Sequence, residues 1–245
     1  MDAWSTLRNE INGVMKQPTD GTGRWSNAVL LYRANKVQAR AVSSTFCLDA
    51  VRFINLTADT LEYSFLTTGS VTLDVREVRY NGVPLEKVTI EKLSHLAKMG
   101  VIDRNWRSVS SKEPVGWYRR ADQIGVYPKV VKADSASLEA LEWCLPTDLS
   151  GDSSTPFDGK TYLDAYVDLI IFGVVEWCFD EMGESKQGER EKWGGKHNAR
   201  LADLKRFADL RNGVMISADA EKARQTGVGK SISVGGAPDA MGQRG

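Results

Sequence analysis

The sequence predicts an α+β protein. Helices from its two ends pack as a bundle, an antiparallel β domain is inserted between them, and a polar tail follows. Three observations carry this. Residues 26–42 and 160–183 place apolar side chains at helical spacing. Between them, residues 51–146 are rich in short β-branched and aromatic runs. Within that region "VREVRYNGVPLEKV" reads as a hairpin, because Asn81-Gly82 tolerates positive φ at both central positions of a type I′ turn.

In chain order, "AWSTLRNEINGVM" predicts a short helix, and "KQPTDGTG" a loop. Ser26 is placed as an N-cap, with Trp25 and Leu30 as a staple. Leu30, Leu31, Ala34, Val37, Gln38 and Ala41 then form one stripe. "VRFINL", "TLEYSF" and "VTLDVREVRY" predict strands. The third changes phase between Val75 and Val78, which predicts a bulge near Arg76-Glu77. Pro84 cannot donate to a ladder and places the returning strand at a sheet edge. "TIEKLSHLAKMG" predicts a helix capped by Thr89 and stopped at Gly100. "VGWYRRADQIGVYP" predicts a hairpin turning at Ala121-Asp122, and "SLEALEWCLP" a further strand.

"KTYLDAYVDLIIFGVVEWCFDEMG" reads as one helix of about 22 residues, roughly 33 Å long. A loop, "ESKQGER", precedes a second helix weakened by Gly194-Gly195. From residue 214 the chain is Gly-rich and short of large apolar residues, so alone it buries too little surface to order. The expected divisions are 1–48, 49–150, 151–213 and 214–245.

Charge argues against one class of function, a nucleic-acid-binding module. Lys plus Arg and Asp plus Glu number 32 each, so no net field attracts nucleic acid or membrane. Cys47, Cys144 and Cys178 are odd in number and widely spaced, which suits a reducing compartment rather than a disulfide framework. The first residues lack an apolar signal core, and the most apolar helix has only seven residues between charges. A soluble protein made in a cytoplasm is expected.

Few motifs suggest chemistry. "TGVGKS" resembles part of a phosphate loop, but Arg224 stands where the first glycine belongs, and no strand precedes it. His95 and His197 are not at metal-ligand spacing from a Cys or from each other; His197 shares a helix face with Trp193 and Leu201. Neither a metal, a cofactor nor a catalytic set is expected. "WYRR" at 117–120 is a weak single-strand-binding pattern that an exposed strand face explains equally. Asp164, Asp168, Glu176 and Asp180 form an acidic stripe, and Lys192, Lys196 and Arg200 a basic one at the same spacing. The stripes could be solvated faces, could pair within or between chains, or could line a channel that repels phosphate.

The ordered set of segments carries a resemblance. "RWSNAVLLYRAN", "ADTLEYSF", "VREVRYNGVPLEKV", "EPVGWYRRADQIGVYP" and "LEALEWCLP", followed by a long Tyr-containing helix, resemble the head-to-tail adaptor (neck connector) proteins of tailed bacteriophages. The resemblance covers about residues 22–210; Asn27, residues 35–37 and Phe65-Leu66 depart from the pattern. It implies a non-enzymatic virion protein made in the host bacterial cytoplasm and located in the neck. Copies would form a ring, a dodecamer, beneath the portal. The implied partners are the portal ring, tail or further neck proteins, and other copies of the chain. Genomic DNA would pass through without sequence-specific binding, and no membrane is involved. The hairpin around Tyr80, Asn81 and Gly82 then becomes a contact to a neighbour or the tail. Lys230, Ser231, Ile232, Ser233 and Val234 become a strand added to a portal edge. Two other readings are a tail-terminator or tail-tube component and a muramidase-type wall-degrading virion enzyme.

Overall fold

Local chemistry explains the boundaries of two of the five α-helices in the computed structural model, which describes residues 3–64, 71–131 and 137–213. Helix α1 (Trp4–Met15) buries Trp4, Leu7 and Ile11 along one stripe. Helix α2 (Asn27–Thr45) starts where the Ser26 side chain accepts the Val29 N–H, and stops at Phe46 in the left-handed region. Helix α3 (Ile90–Lys98) starts where Thr89 accepts the Lys92 N–H at 3.0 Å. Gly100 follows it with φ +74°.

The last two helices differ from their sequence pattern. Helix α4 (Asp168–Asp180) has 13 residues, about 20 Å of helix. The expected long helix is broken, because Thr161–Tyr166 form a 3-10 turn. Partners elsewhere hold that turn: the Tyr162 hydroxyl donates to Asp49 at 2.6 Å, and Arg200 occupies the Ala165 carbonyl. Helix α5 (Gln187–Arg211) runs 25 residues, begins inside the stretch expected as a loop, and continues through Gly194-Gly195. Two helical glycines cost about 1 kcal/mol each in propensity. At Gly194 a Cβ would lie 2.8 Å from Glu176 Oε1, so a larger residue there would make the carboxylate end of Glu176 shift.

The strands form three sheets. The first contains β1 (Asp49–Asn55), β3 (Thr72–Tyr80), β4 (Val83–Pro84) and β10 (Ser137–Cys144), in the order β1-β10-β3-β4, all antiparallel. The second contains β2 (Glu62–Ser64), β5 (Glu86–Lys87), β7 (Gly116–Arg120) and β8 (Gln123–Tyr127), in the order β2-β8-β7-β5. The third pairs β6 (Ser110–Ser111) with β9 (Lys129–Val130). The β5–β7 and β6–β9 pairings are short and parallel, a departure from the all-antiparallel expectation. The bulge sits where expected: Leu141 faces Glu77 and Glu142 faces Val75, leaving Arg76 as the extra residue. A second irregularity leaves out Leu73. Asn81 and Gly82 both have positive φ, and β4 with Pro84 lies at the sheet edge.

Three apolar clusters result. The largest joins α1, α2, α4 and α5 through Trp4, Leu7, Leu30, Ile170, Val174 and Leu204. The second lies between the two larger sheets around Val75, Val78, Trp117, Ile124, Val126 and Leu138. The third packs Leu93 and Ala97 of α3 against Trp106 and Tyr118. Each such aliphatic side chain stabilises the fold by about 1.5–3 kcal/mol on burial. Among the described residues, no helix is long and apolar enough to cross a membrane.

All three cysteines are unpaired and buried. Burial pushes the Cys144 thiol up to about 11 and the Cys178 thiol up to about 12, and raises Cys47 as well. Thiolate is the reactive form. An aqueous thiol reagent at mildly alkaline pH is therefore expected to leave the native chain unlabelled and to label all three sites after denaturation. Rapid native labelling, read by mass spectrometry, would mean that these cores open readily.

Candidate functional site

The acidic stripe of α4 faces α5. Arg200 Nε donates to Asp168 Oδ1 at 2.9 Å, and this bond holds the guanidinium more firmly protonated than usual. His197 Nδ1 lies 2.9 Å from Glu176 Oε2, and Arg190 lies 3.0 Å from Asp180. A carboxylate only accepts, so Nδ1 carries the histidine's hydrogen. Asp168, Glu176 and Asp180 thus pair with α5. Asp164 lies exposed in the 3-10 turn, one turn before α4.

Of the basic stripe, only Arg200 meets an α4 acid. Lys192 pairs with Glu189 on its own helix, and Lys196 Nζ sits 4.1 Å from the centre of the Trp193 ring. Half-exposed pairs such as Asp168–Arg200 contribute roughly 0–1 kcal/mol each, so they set the register of α5 on α4 more than its strength. Arg190 and His197 were not assigned as partners from sequence. The antiparallel crossing, which no single helix spells out, selects them.

This ladder forms one wall of a groove of about 480 Å³ between α2, α4 and α5. Gly173 and Trp177 of α4 also line it. A Cβ on Gly173 would lie 2.8 Å from Val37 Cγ1 and 3.2 Å from His197 Nε2, so the glycine lets the three helices converge. Arg33, Lys36 and Arg40 project from α2 at i, i+3 and i+7 to line the mouth. The Arg33 guanidinium stacks 4.1 Å from the Trp177 ring centre. Among the described residues, none of these three cations has a carboxylate within ion-pair distance. The mouth suits an anionic group. No Ser, Cys or Thr lines the groove beside His197, and no three potential ligands gather to hold a metal among the described residues.

A second polar cluster joins the end of α5 to the start of β1. Arg211 donates to both carboxylate oxygens of Asp49 at 2.9 Å and stacks 3.9 Å from the Tyr162 ring centre. Burial alone would raise the Asp49 pKa; the Tyr162 and Arg211 hydrogen bonds outweigh it and hold the carboxyl below its usual range. The same hydrogen bond and burial push the Tyr162 hydroxyl up to about 12, burial contributing most.

At the hairpin, Tyr80 is 7 % exposed within the second core, so its exposed part is Asn81, Gly82, Val83 and Pro84. His95 is exposed on α3. Residues 230–234 and the phosphate-loop-like run 226–231 lie outside the described residues. No protein-family model matches the chain, and a comparison with curated proteins finds no match.

Proposed function

We propose that the chain is a structural virion protein, a head-to-tail adaptor. Copies form a ring beneath the portal, extend the DNA channel and offer a surface for tail attachment. The observation that carries this reading is the order of packing along the chain. Helices α1 and α2 precede the large strands and α4 and α5 follow them, yet all four share one core. That shared core supports reading the chain as a helical bundle with a β domain inserted in it, the organisation expected of the adaptor family. Two further features support a ring subunit. The cationic groove belongs to the helices and the exposed hairpin to the β region, so separate surfaces are available to different neighbours. The α4 stripe pairs with α5 through half-exposed groups, so it can also meet a neighbouring subunit.

The test is to mix the purified protein with the portal ring encoded alongside it, then size the complex and image it in negative stain. An added ring of density beneath the portal is expected, and its rotational symmetry gives the copy number. A chain ending at residue 213 is expected to remain folded and to lose portal binding. Assembly with tail proteins instead of portal would make it a tail component. Clearing of a cell-wall zymogram would overturn the structural reading altogether.

A further inference from the structure

The groove between α2, α4 and α5 holds more cation than its own carboxylates answer. Arg33, Lys36, Arg40 and Arg190 line it against Glu176 and Asp180, four cations to two anions, so two positive charges are in excess with His197 left out of the count. Asp180 is taken by Arg190, and Glu176 by His197 on α5. The excess therefore lies on the α2 side. Among the described residues, none of the Arg33, Lys36 and Arg40 side chains has an ion pair or a hydrogen bond.

Packing presents these cations rather than absorbing them. The Arg33 guanidinium lies over the Trp177 ring, 4.1 Å from its centre. A guanidinium that stacks through its face keeps the N–H donors at its edge free. From Arg33 to Arg40 the row rises about 10 Å along α2, with Lys36 between them. At the rim, Tyr32 is 55 % exposed, and its ring centre lies 5.6 Å from the Arg33 guanidinium and 5.4 Å from the Lys36 ammonium. An open aromatic ring thus stands beside the charge. The groove's volume of about 480 Å³ falls within the range of about 300–1,000 Å³ usual for small-molecule sites. One water takes up roughly 30 Å³, so a bare inorganic ion would fill little of it.

We propose that this groove binds a small phosphate monoester with an aromatic organic part. Arg33, Lys36 and Arg40 hold the phosphoryl group, and the organic part rests toward Tyr32. A phosphate monoester carries about 1.5 to 2 negative charges near pH 7, which matches the excess in the groove. The forked donors of two arginines fit its oxygens, which a point charge alone would not orient. A carboxylate, or the internal phosphodiester of a nucleic-acid strand, brings only one charge and leaves half of the excess unanswered. Glu176 and Asp180 on the opposite wall keep the anion to the α2 side. This inference does not rest on the adaptor reading, and the free chain is sufficient to test it.

Titration of the purified full chain with phenyl phosphate, followed by amide NMR, tests it. Saturable shifts are expected in α2, around Gly173 and at the Trp177 indole. Methyl phenyl phosphate keeps the ring but carries one charge, and should bind about tenfold or more weakly. Arg33→Gln with Arg40→Gln should weaken phenyl phosphate by about tenfold or more, with the β-sheet resonances unchanged as a check on folding. Lys98→Gln with Arg104→Gln removes the same charge from the surface beside Trp106 and should leave the affinity as it was. No saturable shift up to about 10 mM phenyl phosphate would overturn the proposal. Equal affinity for the two esters, or equal loss in the two double variants, would reduce the effect to general surface charge and overturn it too. Tighter binding of an oligothymidylate without terminal phosphate would assign the cations to a nucleic-acid strand instead, which also overturns it.

Discussion

Replacing Glu142 by alanine is expected to cost about 3–5 kcal/mol, because it removes one partner of a buried ion pair. Glu142 is 2 % exposed on β10, the strand between β1 and β3. Its Oε1 accepts from Arg52 Nε at 3.0 Å and Nη2 at 2.7 Å, and its Oε2 accepts from the Thr72 hydroxyl at 2.7 Å. One carboxylate thus ties three adjacent strands. Without it, the guanidinium stays almost buried and loses the Glu142 carboxylate that both its Nε and Nη2 bind. Thr72→Val removes only a hydrogen bond from Glu142 and should cost about 1 kcal/mol. The pair is not a large net source of stability, since burying two charges offsets most of their attraction. Replacing both, as Arg52→Met with Glu142→Leu, should therefore recover most of the loss. Urea denaturation followed by circular dichroism measures all three. A cost below about 1 kcal/mol for Glu142→Ala would mean that water reaches the pair in solution.

The place of this pair explains why the charges are kept. Along the inner face of β10, Leu138 and Ala140 belong to the β core and Cys144 to the helical core, with Glu142 between them. A one-residue slip of a strand turns its inward side chains outward. An apolar residue at 142 would let the two cores merge in more than one register, whereas a carboxylate is satisfied only with Arg52 and Thr72 as its diagonal neighbours on the flanking strands. The double variant should therefore be stable yet show broader amide resonances in β10 than the native chain.

What was legible in the sequence is what local chemistry decides. Ser26 and Thr89 cap helices through their own side chains, Asn81-Gly82 closes a turn through its own φ angles, and the phase change after Val75 marks a bulge without reference to any other strand. The start of α4 was not legible, because Arg200, 35 residues away, takes the carbonyl that a longer helix would use. Gly194-Gly195 reads as a helix weakness until Glu176 is found against Gly194. The acids of the candidate site were legible by spacing, but their partners were not. Two signals were present and could have been used. Glu142 falls in the same alternation phase as Leu138, Ala140 and Cys144, which places it inward. Arg33, Lys36 and Arg40 recur at helical spacing beside the apolar stripe of α2.

Gly125→Ala is expected to cost about 1–3 kcal/mol, far more than a methyl added to a strand normally would. Glycine weakens strands, so one in the centre of β8 calls for a reason. Tyr118 supplies it: it faces Gly125 across the ladder, and its ring lies against the glycine. A Cβ at position 125 would fall 2.1 Å from Tyr118 Cζ. The ring has no retreat, being 1 % exposed, edge-on to Trp106 at 5.8 Å and hydrogen-bonded through its hydroxyl to Glu62 at 3.1 Å. Burial, with the Glu62 carboxylate, raises the pKa of that hydroxyl well above the ordinary tyrosine range, so it remains a donor across the usable pH range. The two positions are therefore energetically coupled. Tyr118→Ala alone should cost about 3–5 kcal/mol by emptying the site. Adding Gly125→Ala to it should cost almost nothing further, because the ring it would strike is gone, giving a coupling of about 1–3 kcal/mol between neighbours in contact. Strict additivity in urea denaturation would mean that the ring leaves Gly125 readily in solution. The attachment of α3 and Trp106 to the second sheet would then depend on Ile90 and Leu93 rather than on Tyr118.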